Sequence, residues 1–333
     1  MIAKRIGAVL VAVALIAGAF FLRRNVLEDD EVSSAPATDS ISPQSSGELV
    51  CITELAEVCR ALAATTNVDV VVEDALVTLD RLAALDDDAA APSWLTVAPF
   101  PTMLDELRTS SGRDPLALQG EVLAATQLGI AAPTGGRFDQ LATACPDTPI
   151  WRCLGEQAGT PWAGLGGEAS WSAVRPSVGA ADRSAVALAS FAAAVAGYFG
   201  TPEFSPATWD LDPDFISWVR RLVRTVPIDR LSGNTPLLAM AARASALDMA
   251  ATTAAELAAF DPAATRFEGN YPAPAMWLEA VLAAPADVEQ AALVDDATTA
   301  LTEAGWVPPA EVTGQVPSAT TMLALRTLWQ EAT

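Results

Sequence analysis

Histidine is missing from this 333-residue chain. The usual general base near neutral pH and the commonest metal ligand go with it. Lysine occurs once, at Lys4, so a Schiff base or a Ser–Lys pair in the folded part is excluded. Basic charge of any kind is scarce: 19 basic residues face 41 acidic ones, for a net charge of −22. Four of the 19, Lys4, Arg5, Arg23 and Arg24, flank an N-terminal apolar run that no acid precedes. That leaves 15 arginines against all 41 acids, a net −26 for the remainder. Such a body repels DNA, RNA and anionic lipid heads, and no nucleic-acid partner is expected. For catalysis, paired carboxylates are the main option left. Asp86-Asp87-Asp88 and Asp295-Asp296 read better as solvated charge, so neither an enzyme nor a cofactor is expected.

About half the residues are apolar, enough for a large core in one domain or two lobes. The N-terminal run Ile6 to Leu22 is 17 residues without charge, at the short end of a membrane span. A cleaved signal wants a small-x-small site after such a run. Here Phe20-Phe21-Leu22-Arg23-Arg24 follows, which favours a retained anchor over residues 1–25. Residues 26–47, "VLEDDEVSSAPATDSISPQSSG", are polar, acidic and aperiodic, and read as a disordered linker.

From Glu48 the pattern alternates strand and helix. "ELVCIT", "VDVVVED" and "WLTVAP" read as strands. "TELAEVCRALAATT", "ALVTLDRLAAL" and "FPTMLDELRTSS" read as helices, the first with Leu55, Val58, Cys59 and Leu62 on one face and Thr53 as N-cap. Alternation of this kind predicts an α/β fold with a parallel sheet. "EVLAATQLGIAAP", 121–133, reads as a strand crossing between lobes. Ser184 to Phe199 is almost wholly apolar but short for a span, and reads as a buried helix with Asp182 as N-cap and Gly200 beyond its end. "DPDFISWVRRLVRTV" puts Phe215, Trp218, Val219, Leu222, Val223 and Val226 on one helical face and Arg220, Arg221 and Arg224 on the other.

The four cysteines fall in two pairs eight residues apart. In a strand–helix unit Cys59 faces back toward the strand that ends near Cys51, so the two approach the Cα separation of about 4.4–6.8 Å that a disulfide needs. Cys145 and Cys153, in "CPDTPIWRC", would close a second local loop. Sequential pairing is preferred among the three possible, with buried free thiols as the alternative, and the spacing is too wide for a four-cysteine metal site. An even cysteine count fits an extracytoplasmic body and an N-terminus inside.

The order of "CITELAEVC", "WLTVAPFPTM", "WRCLGEQAGTPWAGLGG", "VRPSVGAADRSAVALASFAAAVAGYFG", "GNTPLLAM", "ASALDMAATTAAEL", "YPAP" and "EAGWVPP" resembles the type II extracytoplasmic solute-binding proteins of bacterial ABC importers, most of all a membrane-anchored actinobacterial branch. It covers the chain from about Glu48 onward. The resemblance implies a two-lobed Venus-flytrap fold behind one N-terminal transmembrane helix. Lobe one would take residues 48–122 and 268–333 and lobe two 128–262, with hinges near 123–127 and 263–270. It also implies a small solute between the lobes, such as an oxyanion, held by hydroxyls and by amides at helix N-termini. Matching positions are Thr53, Thr126 and Ser184, with Tyr271 beside the second crossing.

The chain departs from the family in "RPSVGAADRSAVAL". Arg183 stands where relatives carry the proline of an Asp-Pro pair, and Val178 adds an apolar side chain to the turn. Arg175 and Arg183 flank that turn, and Arg183 is a further candidate ligand contact. The expected function is a receptor on the outer side of the cell membrane that passes its solute to a permease or reports it. The alternative is an envelope scaffold that keeps the fold with a degenerate cleft and binds a protein partner.

Overall fold

The computed structural model describes residues 48–333 except 67, 226–234, 244–245, 287, 289 and 313. The expected anchor and linker, and Val226, lie outside the described residues. Among the described residues no helix is long and apolar enough to cross a membrane.

The predicted alternation holds through the first third. Strand β1 (Glu48–Ile52) leads through a short turn, Thr53–Leu55, into helix α1 (Ala56–Thr65). Then come β2 (Asp69–Glu73), α2 (Ala75–Ala83), β3 (Ser93–Val97) and α3 (Phe100–Ser110). Strand β1 lies between β2 and β3 and is parallel to both. The stripe Leu55, Val58, Cys59 and Leu62 is buried. Cys51 and Cys59 form a disulfide with a Cα separation of 6.5 Å, which ties β1 to α1.

Strand β4 (Gln119–Pro133) follows and gives the sheet its plan. At about 3.3 Å per residue it runs roughly 50 Å. Its first half pairs antiparallel with β8 (Trp277–Ala284), and β8 pairs antiparallel with β3. Its second half pairs with β6 (Met249–Thr253) and β7 (Phe267–Asn270). Strand β5 (Pro176–Ser177) lies parallel to β6 at the end of the order β2-β1-β3-β8-β4-β6-β5. The sheet is therefore mixed, not parallel throughout. Strand β8 pairs on both sides with strands far from it in sequence, β3 and β4, so its direction is set by contacts that the local pattern does not report.

Helices α4 (Arg137–Ala144) and α5 (Ile150–Gln157) are joined through the Cys145–Cys153 disulfide. Helix α6 (Ala185–Phe199) is the predicted buried helix, with all but its second and last residues buried. Gly200 ends it at φ 71°, a conformation that glycine adopts without strain. Its N-cap is Ser184, not Asp182: the Ser184 hydroxyl accepts from the Ala187 amide at 3.0 Å. After α7 (Pro206–Trp209), helix α8 (Pro213–Arg224) buries Phe215, Trp218, Val219, Leu222 and Val223 as its periodicity predicts. The remaining helices are α9 (Pro236–Ala242), α10 (Ala254–Phe260), α11 (Ala291–Glu303) and α12 (Ala319–Ala332). Of the acidic runs, Asp87 is engaged: it takes a bond of 2.7 Å from Arg108, whose side chain is fully buried and also donates to the carbonyls of Leu85 and Asp114.

Candidate functional site

Three chain reversals bring helix N-termini together. The first is the turn after β1, with Thr53 and Glu54. The second is the start of α6, capped by Ser184. The third is the start of α10, where the Thr253 hydroxyl accepts from the Glu256 amide at 3.1 Å. Thr126, buried in the middle of β4, adds to the third: its hydroxyl accepts from the Ala255 amide at 3.1 Å. The first amides of α6 and α10 are thus met by side-chain oxygens, and each helix start carries a partial positive charge.

Glu54 joins the first turn to α6. Its Oε1 accepts from the Ser184 hydroxyl at 2.5 Å and from the Val186 amide at 3.3 Å. Oε2 is buried without a hydrogen-bond partner among the described residues. The backbone adds a second link between the same parts of the chain: the Leu76 amide, in the first turn of α2, donates to the Arg183 carbonyl at 3.1 Å. Burial pushes the Glu54 carboxyl above its ordinary range, against the downward pull of Ser184 and the α6 amides. A second acid lies near enough to feel it. Glu256, in the first turn of α10, accepts from the hydroxyls of Thr235 and, at 2.7 Å, Thr252. Burial pushes its carboxyl up too, and the charge on Glu54 adds to the rise. Among the described residues neither carboxylate has an arginine within ion-pair distance.

Of the five positions singled out in the sequence, Ser184 and Thr126 are bonded at helix N-termini. Thr53 is exposed and caps no helix; its hydroxyl donates to Asp74 at 2.9 Å. The Arg183 side chain faces solvent, and only its backbone carbonyl enters the site. Tyr271 is 38% exposed, its ring laid over Gly129, where an added Cβ would come within 2.6 Å of it. Arg175, expected as a surface charge, is partly buried, and its Nε lies 3.5 Å from the buried carboxylate of Asp248. Sequence reasoning missed Glu54 and Glu256. For Glu256 a signal exists: Thr253-x-x-Glu256 is a capping-box pattern. For Glu54 there is none locally, since its partner lies 130 residues on.

The described residues hold no group of three acids and cysteines placed to bind a metal ion. No protein-family profile matches the chain, and no curated protein matches it in sequence. Solved structures do match. The periplasmic binding protein AfuA from Actinobacillus pleuropneumoniae, with bound fructose 6-phosphate, superimposes with a TM-score of 0.53 at 12% identity, covering 86% of this chain and 98% of its own. The apo ferric ion-binding protein A of Pasteurella haemolytica gives 0.51 at 12% identity over 86% and 98%. A periplasmic thiamin-binding protein gives 0.50 at 12% identity over 90% and 99%. The chain has the type II periplasmic-binding-protein fold. At such low identity the likeness extends to the fold and not to the solute. The fold nevertheless gives the cluster of helix ends a context, because the sheet's two halves meet along β4 beside Thr126.

Proposed function

We propose that the chain is an extracytoplasmic solute-binding protein, held at the cell membrane by residues 1–25 with the N-terminus inside and the body outside. It captures a small solute between residues 48–122 with 268–333 on one side and residues 128–262 on the other. The segments near 123–127 and 263–270 serve as hinges. The solute is then passed to an ABC-type permease or its presence is reported. The observation that carries this reading is the convergence of Ser184 on α6 and Thr126 at α10 with the β1 turn, drawn from both halves of one β4-centred sheet. The AfuA, thiamin-binding and ferric ion-binding proteins support binding over catalysis. The two disulfides support an oxidising compartment.

A thermal-shift screen of the detergent-solubilised full chain against oxyanions, amino acids, sugars and metal ions tests the reading. A solute at a hundred times its Kd stabilises by about 2.7 kcal/mol. A saturable rise in Tm with one chemical class is expected.

The scaffold reading has an observation of its own. Glu54 and the Leu76–Arg183 backbone bond already join the two sides of the expected cleft. A flat screen together with a stable envelope partner in a pull-down would establish it in place of the receptor.

A further inference from the structure

An anion bound at a helix N-terminus is held by a capping hydroxyl and the first free amides. At α6 those groups are Ser184 Oγ and the Val186 amide, and both already donate to one atom, Oε1 of Glu54. The carboxylate comes from a turn 130 residues away in the chain, so it is no part of α6's own capping. It sits where a free anion would accept from the same hydroxyl and amide. Its other oxygen, Oε2, is buried and bonded to nothing among the described residues, and Glu256 adds a second acid nearby without an arginine partner. A sulfate or phosphate arriving here would meet a filled donor set and like charge.

We infer that Glu54 is the specificity-determining residue of this cleft: it stands in for an anion at the start of α6, excludes oxyanions, and leaves Oε2 to receive a hydrogen-bond donor from an amine- or hydroxyl-bearing solute. The inference rests on the receptor reading for its biological sense, but its test does not depend on the natural solute.

Sulfate is the probe. Its affinity is measured by calorimetry, with chloride at matched ionic strength as the control. The proteins are the full chain and the variants Glu54→Ser, Glu54→Gln and Glu54→Ser with Ser184→Ala. Glu54→Ser vacates the position. Glu54→Gln removes only the charge and keeps the acceptor for Ser184, so it preserves packing if the smaller residue fails to fold. Like-charge juxtaposition opposes anion binding, so removal of the acid is expected to tighten sulfate binding by about tenfold or more, and loss of Ser184 to reverse the gain. Wild-type protein that binds sulfate as tightly as the folded variants overturns the inference. So do folded Glu54→Ser and Glu54→Gln proteins that gain nothing. A wild-type chain that responds to no solute in the wider screen defeats the receptor reading and leaves this comparison standing.

Discussion

At the scale of single residues, the least ordinary groups are the carboxyls of Glu54 and Glu256. Both are held above the ordinary glutamate value of 4.5 by burial. The folded chain therefore keeps these protons to higher pH than the unfolded chain does. Their contribution to stability is full below pH 4.5 and is lost as the pH rises through the folded values. Asp248, also raised by burial, acts in the same direction, whereas Asp261 is lowered by the amides of Phe267 and Arg266 and acts in the other. The variant Glu54→Gln with Glu256→Gln cannot lose the two protons. Denaturant unfolding at stepped pH is expected to show a smaller loss of stability from pH 4.5 to neutrality in this variant than in wild type. Equal slopes would mean that the acids titrate normally. Ser184 shows why residues of this kind were only half legible in the sequence. Asp182 and Ser184 are both good N-caps two positions apart, and local pattern does not choose between them. Asp182 does not cap α6, whereas the Ser184 hydroxyl accepts from α6 and donates to Glu54. That second bond spans 130 residues, a distance that no periodicity reports.

At the scale of elements the sequence was far more readable. The strands β1 to β4, the helices between them, the apolar α6 and the stripe of α8 follow from period and from Gly200. The cysteine pairs follow from spacing. Direction in the sheet was not readable beyond β3, because it depends on β8 returning from the far end of the chain. The close approach of α8 to α5 was equally hidden. Gly155 gives α5 a bare patch on which the Trp218 ring lies, and Trp218 Nε1 donates to the Arg152 carbonyl at 3.0 Å. A Cβ at Gly155 would fall 2.0 Å from that nitrogen. Since Trp218 is fully buried, the ring cannot swing out. Gly155→Ala is expected to lower stability by about 1–3 kcal/mol despite alanine's better helix propensity, measured by denaturant unfolding. A neutral or stabilising effect would place the ring elsewhere.

At the scale of the whole molecule, composition separates an acidic body from a basic-flanked N-terminus. The N-terminal 47 residues lie outside the described part, so the anchor rests on sequence alone. Intact mass of the membrane-extracted protein checks it: a mass that includes residues 1–25 is expected, and loss of about two dozen residues would make the segment a cleaved signal. Strand β4 belongs to both halves of the sheet, so the hinge proposed at 123–127 would have to bend a continuous ribbon and not a loose loop.

Strand β1 has a mechanical consequence. Tension entering from the N-terminal side reaches the body at Glu48 and pulls β1 along its length. Its neighbours β2 and β3 run the same way on either side, so the whole row of backbone bonds is sheared together and cannot unzip one by one. The Cys51–Cys59 bridge then hands the load to α1 after four residues. A pull on the first described residue is therefore resisted along two parallel ladders at once and passed to a covalent link within the same strand.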